Sequence, residues 1–166
     1  AVTTKRGVKA DLAGAEVALE LPIGKGFGVS ANALYAESRD ADGVEMLGTS
    51  KWTTNLRGFY EDDKFSGSLA YNYRTDYSIG YSGNGTNNTV VNAAGVVTSV
   101  NGLHYYNGSG SLSASIGYKI TKDISIHLDG NNLTDPVRST YFITKNAPGY
   151  WHQSGRQYFV NLRAKF

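Results

Sequence analysis

The chain has 166 residues, a net charge of +2 and no cysteine. The small charge gives no argument for nucleic acid binding, and the lack of cysteine excludes disulfides and thiolate metal sites. A mean hydropathy of −0.34 leaves no segment apolar enough for a membrane helix, but strands of a membrane barrel alternate and would show such an average. Twenty glycines and twelve tyrosines beside three prolines are typical of many strands joined by turns.

Alternation of apolar and polar residues with period 2 predicts seven β-strands. Each has nearly the length that a tilted strand needs to cross a bilayer, about 9–11 residues. In chain order, the predicted strands are residues 13–21, 27–35, 52–61, 65–74, 111–120, 124–131 and 158–166.

The connections between these strands are alternately short and long. Short turns are predicted at 22–26, 62–64 and 121–123, and long connections at 38–51, 75–110 and 134–155. Bacterial outer-membrane barrels have short periplasmic turns and long extracellular loops. Aromatic residues near the strand ends stand where the interfacial girdles of such a barrel would lie. The pattern therefore favours an antiparallel transmembrane β-barrel.

Charged residues within the strands all have the same phase. The residues on the polar side of the alternation are Arg57, Arg74, His127, Asp129 and Arg163. An Arg or Lys at the lipid midplane costs about 2–4 kcal/mol, so this phase supports a lipid-facing apolar side. The solvated side of an open soluble sheet remains the alternative.

Seven is an odd number of strands, whereas single-chain bacterial barrels have even numbers. Either residues 1–11 contain an eighth strand, or further strands precede Ala1. The poorly apolar stretch 2–9 favours further strands before Ala1.

Three segments near the end of the sequence resemble the end of TonB-dependent outer-membrane receptors. They are 129–136 (DGNNLTDP), 155–158 (GRQY) and 162–166 (LRAKF). Earlier, 14–19 (GAEVAL) and 71–74 (YNYR) resemble strand elements of the same family. The subgroup most resembled is that of xanthomonad and caulobacter receptors.

The resemblance implies an all-β fold in which residues 1–166 are about seven C-terminal strands of a 22-stranded barrel in the bacterial outer membrane. The plug domain and the earlier strands would lie outside this sequence. Implied partners are outer-membrane lipid, the rest of the barrel with its plug, and the TonB complex through the plug region. No cofactor is implied.

The predicted terminal strand resembles the signal that the barrel-assembly machinery reads. Its apolar side carries alternating residues that end in an aromatic one, namely Tyr158, Val160, Leu162, Ala164 and Phe166. A strand with one apolar face and an unpaired edge is also a physical template for strand addition. Alternatively, these residues simply face lipid.

No enzyme or metal site is predicted. His104, His127 and His152 are far apart and lack the spacing of metal ligands. The serines stand in alternating strands or loops, without a nucleophile elbow. The sequence offers no catalytic residue.

Candidate cargo-binding residues combine aromatic side chains in the long connections with nearby polar groups. Aromatic faces with a few orienting polar groups suit a sugar or a planar siderophore. Alternatively, these aromatic residues pack the loops on one another. The candidates in the loops and lumen are Arg74, Tyr77, Tyr81, Tyr105, Tyr106, His127, Asp129, Arg138, Tyr150, Trp151 and His152.

The sequence thus predicts an energy-coupled receptor that imports a scarce nutrient, an oligosaccharide or an iron–siderophore complex. Cargo would pass beside Asn55, Arg57 and Asn72 on the polar side. Three alternatives stay open: a passive porin-like channel, a small structural or adhesive outer-membrane barrel, and a soluble β-domain.

Overall fold

The computed structural model describes residues 9–40, 45–81, 89–91, 97–99 and 102–165. Within these ranges all of the helix-or-strand structure consists of β-strands. Among the described residues there is no helix long and apolar enough to span a membrane. The strands are β1 (Ala10–Gly24), β2 (Phe27–Asp40), β3 (Trp52–Glu61), β4 (Phe65–Arg74), β5 (Tyr77–Tyr81), β6 (Thr89–Val91), β7 (Val97–Ser99), β8 (Leu103–Tyr106), β9 (Ser109–Lys119), β10 (Ile124–Asn131), β11 (Arg138–Phe142), β12 (Pro148–His152) and β13 (Gln157–Ala164).

Seven long strands form one antiparallel sheet, the main sheet, in the order β1-β2-β3-β4-β9-β10-β13. All seven predicted strands are confirmed, as are the three short turns between them. Strands β1 and β2 are longer than predicted and form a hairpin that reaches from Ala10 to Asp40. The connection expected to begin at Ser38 therefore begins after the end of β2.

The register places the predicted apolar residues of every strand on one continuous face, the apolar face. One row runs from Leu19 through Ala31, Leu56 and Tyr71 to Leu112, each residue opposite the next on the neighbouring strand. A one-residue slip at any pairing would move a strand's apolar side chains to the other face. The phase predicted from the sequence is therefore kept across the whole sheet.

The apolar face is exposed. Val17, Ile116 and Val160 are 71%, 61% and 70% exposed, and Tyr141 is the only buried large apolar residue in the part of the chain that the structure describes. A soluble sandwich would cover this face with a second sheet. An apolar face of seven strands without such a cover is a face for lipid.

Aromatic pairs border the apolar face at both ends of the strands. Phe27 packs on Tyr60 near the short turns with ring centroids 4.6 Å apart, and Tyr35 packs on Trp52 at the opposite end at 4.9 Å. The eight steps along the strand from Phe27 to Tyr35 span about 26 Å. The two rows therefore border the lipid-facing stretch at the strand ends, where the sequence predicted interfacial aromatic residues.

Two of the long connections are not the simple loops that the sequence predicted. Strands β5 and β8 lie within 75–110, and β11 and β12 lie within 134–155. They pair in the order β12-β11-β8-β5 as a second sheet, the loop sheet. These strands are short, two of their pairings contain bulges, and bulky residues occupy both faces, so no period-2 signal marks them.

Strand β13 forms one edge of the main sheet and ends at Ala164. Tyr158 and Leu162 are exposed on the apolar face, in the phase expected of the terminal strand. Phe166, the last residue of the predicted assembly signal, lies outside the described residues.

Candidate functional site

The polar face of the main sheet carries hydrogen-bonded side-chain ladders. Near β1, the Asn32 amide donates to Glu16 Oε1 at 3.1 Å, and the Asn55 amide donates to Asn32 Oδ1. These three residues are directly opposite one another or nearly so on β1, β2 and β3. In a barrel this face lines the lumen, because the opposite face meets lipid.

A second ladder crosses the other side of the polar face and holds Asp129. Ser115 Oγ donates to Asp129 Oδ1 at 2.6 Å, and Asn161 Nδ2 donates to Asp129 Oδ2 at 2.7 Å. Both carboxylate oxygens are therefore engaged by neighbouring strands. His127 lies two residues away on the same face, beside Gly117, where an added Cβ would stand 2.6 Å from His127 Nδ1.

One face of the loop sheet carries a row of three tyrosines. Tyr77 and Tyr106 stack at 5.5 Å, Tyr106 meets Tyr150 edge-on at 5.9 Å, and the hydroxyls of Tyr106 and Tyr150 are hydrogen-bonded. The guanidinium of Arg74 lies 3.7 Å from the centre of the Tyr77 ring. Cation–π contact of this kind holds the row against the end of β4.

His104 lies on the same face of the loop sheet as the tyrosine row, two residues before Tyr106. Its ring stacks on Phe142 at 4.2 Å and meets the edge of Tyr150. Nε2 of His104 is buried, and the described residues offer it no hydrogen-bond partner. Burial lowers the pKa of His104, so its neutral form predominates at neutral pH.

Arg138 on β11 and His152 on the edge strand β12 lie directly opposite each other. They share the phase of Thr140 and Tyr150, and Thr140 Oγ1 accepts from the Tyr150 amide at 3.0 Å. Trp151 has the opposite phase and is 64% exposed. The face that carries the tyrosine row therefore also carries Arg138 and His152, and Arg74 contacts the row at Tyr77.

The other face of the loop sheet packs around Asp76, in the link between β4 and β5. Its carboxylate accepts from the Gly108 amide at 2.6 Å and the Tyr141 hydroxyl at 2.9 Å, and lies 3.0 Å from Lys145 Nζ. Burial works to raise the pKa of Asp76, but these three donors outweigh it and lower the pKa. Tyr105 stacks on Tyr141 at 5.1 Å.

The segment 45–50, from the connection between β2 and β3, is attached to the loop sheet. Ser78 is fully buried, and its carbonyl accepts from the Gly48 amide at 2.7 Å. Arg74 donates to Ser50 Oγ at 2.8 Å and to the Gly48 carbonyl at 2.9 Å. Residues from all three long connections are thus joined at one end of the sheet.

The residues of the DGNNLTDP and GRQY segments close the base of the last long connection. Asn132 Nδ2 donates to the Gly155 carbonyl at 2.7 Å, and the Gly155 amide donates to Asp135 Oδ1 at 2.9 Å. Arg156 Nε donates to the Leu133 carbonyl at 2.8 Å. The motif therefore clamps the start of the connection to its end.

Replacing Asn132 tests this clamp, because Asn132 has a φ of 57° and also donates the bond to Gly155. Asn132→Ala loses the bond and strains the left-handed backbone, which we expect to destabilise the clamp by about 2 kcal/mol. Asn132→Gly keeps the backbone relaxed and is expected to lose about 1 kcal/mol. Hydrogen exchange at the Gly155 amide measures both, and equal effects would contradict the role of backbone strain.

The structure brings most of the predicted binding residues together. Tyr77, Tyr106, Tyr150, Arg138 and His152 share one face of the loop sheet, and Arg74 at the end of β4 lies against Tyr77, whereas Tyr105 and Trp151 have the phase of the other face. His127 and Asp129 stand apart, on the polar face of the main sheet. Tyr81 belongs to β5, but its side chain lies outside what the structure describes.

Sequence reasoning missed three residues that organise this region: Asp76, Tyr141 and His104. Asp76 stands two residues after Arg74, which could have marked it as a strand-end group. The run Thr140-Tyr141-Phe142 has high strand propensity and could have indicated β11. Nothing in the sequence indicates that His104 packs on Phe142.

The chain is similar in structure to outer-membrane receptor barrels. It aligns with the copper transporter OprC with a TM-score of 0.65 and 15% identity, over 96% of this chain and 24% of that one. It aligns with the ferripyoverdine receptor of Pseudomonas aeruginosa, bound to ferripyoverdine, with a TM-score of 0.63 and 17% identity, over 97% of this chain and 20% of that one. The receptor in the FpvAI–pyocin S2 complex aligns with a TM-score of 0.64 at 16% identity, again over 97% and 20%.

These likenesses show the fold: the chain forms part of the wall of an antiparallel transmembrane β-barrel. It spans about a fifth to a quarter of the length of the structures that it matches. No protein-family model matches the sequence. No curated protein matches it significantly in sequence either.

Proposed function

We propose that the chain is part of a TonB-dependent receptor of the bacterial outer membrane, which imports a scarce nutrient. The observation that carries this proposal is the pairing of long connections into a loop sheet above a lipid-facing barrel wall. A structured outer surface with clustered aromatic residues suits capture of a specific cargo. A passive channel needs only an open lumen.

In this proposal, residues 1–166 form the C-terminal segment of a 22-stranded barrel with a plug in its lumen. The TonB complex would act through the plug region. The barrel-assembly machinery would read the terminal strand, whose described residues Tyr158, Val160, Leu162 and Ala164 alternate at a sheet edge. An exposed edge with one apolar face supports strand addition during assembly. No enzymatic role is proposed.

The proposed cargo surface is the tyrosine face of the loop sheet, which carries the row Tyr77–Tyr106–Tyr150, with Arg74 against Tyr77 and with Arg138 on the same face. Strands β5, β8, β11 and β12 contain no aspartate or glutamate. Aromatic rings flanked by cations favour an anionic cargo with planar groups, such as an iron–siderophore complex. A neutral oligosaccharide would gain less from the two arginines.

Arg138 is the better arginine for a test of cargo charge, because Arg74 also holds the segment 45–50. In the full-length receptor, Arg138→Gln is expected to weaken binding of a negatively charged ferric chelate about tenfold and leave a neutral oligosaccharide unaffected. Equilibrium titration with both ligands measures this. Lys51→Gln is the matched control, since Lys51 pairs with Glu37 away from the tyrosine row. Equal weakening by both variants would contradict the proposed surface.

Energy coupling separates the receptor from the porin-like alternative. Uptake of labelled cargo by cells that express the full-length protein is expected to stop when the proton gradient is collapsed. A passive channel would keep its uptake under that condition and would conduct ions steadily in a planar bilayer. Uptake that continues without the proton gradient, or steady ion conductance in the bilayer, would refute the proposal of an energy-coupled receptor.

A further inference from the structure

One polar atom on the tyrosine face is enclosed without a partner. Nε2 of His104 is buried, and no hydrogen-bond partner for it lies among the described residues. The ring of Phe142 stacks on His104 at 4.2 Å, and the edge of Tyr150 meets it at 6.1 Å. A Cβ added at Gly149 would stand 3.2 Å from Nε2, so the bare backbone of β12 helps to cover this atom. A neutral ring can carry its proton on Nδ1, but an imidazolium would hold an N–H at Nε2 that nothing accepts.

No described carboxylate faces His104 from the strands packed around it. Strands β5, β8, β11 and β12 contain no aspartate or glutamate. Asp76 and Glu45 lie near Tyr141, on the other face of the loop sheet. The titratable or cationic groups that these four strands place on the face of His104 are Tyr77, Tyr106, Arg138, Tyr150 and His152. A positive charge on His104 would therefore find no neutralising partner and would add to the cations of this face.

Strand β12, which covers Nε2, is the least anchored strand of the loop sheet. It forms one edge of that sheet, pairs with β11 at three positions and is interrupted by a bulge, and no other described strand pairs with it. The opposite edge, β5, is held by the segment 45–50 through the bond from the Gly48 amide to the Ser78 carbonyl. Across the tyrosine face, β12 is held by the contacts of Tyr150 with Tyr106 and His104.

We propose that protonation of His104 releases β12 and thereby divides the tyrosine face in mildly acidic medium. Water reaches Nε2 when β12 moves away, because Gly149 and Tyr150 belong to that strand. Tyr150 then leaves Tyr106, and the tyrosine row is broken. The resulting control of cargo binding rests on the proposed function, whereas the movement of β12 rests on the packing alone.

The direction of the pKa shift gives the pH range of this release. Burial lowers the pKa of His104 below its ordinary value of 6.5, because the charged ring loses its hydration. The contribution of the neutral ring to the closed position of β12 is therefore fully present above pH 6.5 and is lost as the pH falls through the lowered pKa. Asp76 titrates below 3.8 and does not contribute in this range.

Hydrogen exchange in the full-length protein tests the release, with each rate compared with the intrinsic rate at the same pH. The Tyr150 amide donates to Thr140 Oγ1 in the closed position. Its protection is expected to fall at least about fivefold between roughly pH 7.5 and pH 5, while protection in β9 stays constant and reports that the barrel is folded.

Two variants assign this change to one histidine. His104→Phe keeps an aromatic ring beside Phe142 but has no proton to gain, so protection at Tyr150 is expected to stay constant. His152→Gln removes the other histidine of the same face and is expected to keep the fall seen in the native protein. Constant protection in the native protein would overturn the proposal, as would an equal fall in His104→Phe or a lost fall in His152→Gln.

Binding of an anion whose charge does not change with pH tests the control of the cargo surface. Naphthalene trisulfonate is planar and stays fully ionised throughout this range. Its binding, measured as the part lost in Arg138→Gln, is expected to weaken at least about fivefold on the same acidification in the native protein, but not in His104→Phe. Equal binding at both pH values would overturn this control. Absence of binding at neutral pH would contradict the proposed function instead, and exchange at Tyr150 would still decide the movement of β12.

Discussion

Leu69→Arg is expected to destabilise the barrel by about 2–4 kcal/mol, the cost of an arginine near the bilayer midplane. Leu69 lies halfway along β4, between Phe65 at one girdle and Tyr73 near the other, and is 52% exposed. Its cross-strand neighbours, Gly58 and Ala114, are uncharged. The guanidinium would therefore enter the hydrocarbon without a partner.

The adjacent residue provides the control for this substitution. Ser68 has the opposite phase and lies on the polar face, opposite Phe59 and Ser115. Ser68→Arg is expected to change stability by well under 1 kcal/mol, because its charge stays in the hydrated lumen. Urea titration of the full-length protein in phospholipid vesicles measures both. Equal destabilisation by the two variants would show that the apolar face does not meet lipid.

Asp76→Asn is expected to open the loop sheet locally, with a loss of about 2 kcal/mol. Hydrogen bonds to a charged acceptor are stronger than neutral ones, and Asp76 receives two such bonds and an ion pair from Lys145. Amide exchange at Gly108 and in β8 is then expected to become roughly 30-fold faster, while exchange in β9 stays unchanged. Tyr141→Phe removes one donor only and is expected to show a smaller effect. Unaltered exchange at Gly108 in Asp76→Asn would contradict this role.

The same carboxylate predicts how the loop sheet responds to acid. The pKa of Asp76 in the folded protein is below its ordinary value of 3.8, so the charged form is favoured by folding. The contribution of Asp76 to the stability of the loop sheet is fully present above pH 3.8 and is lost as the pH falls through the lowered pKa. Exchange in β8 is expected to accelerate in that window for the native protein, but not for Asp76→Asn.

The sequence alone determined the main sheet and its two faces. A strand places successive side chains on opposite sides of the sheet. The polar or small residues on either side of Leu56, Leu69 and Ile116 therefore indicate that these three side chains share the apolar face. The short turns fixed three of the six pairings, β1 with β2, β3 with β4 and β9 with β10, because hairpins join adjacent strands in register; the other three pairings cross the long connections. These are local properties and need no knowledge of distant residues.

Only the tertiary structure decided the outer region. Tyr106 meets Tyr150, and Asp76 meets Tyr141 and Lys145, across 44, 65 and 69 positions of the chain. Short strands gain their stability from such distant partners and carry little periodicity of their own. The tyrosines and Arg74 were therefore recognisable as candidates, but their division between two faces of one loop sheet followed from long-range pairing.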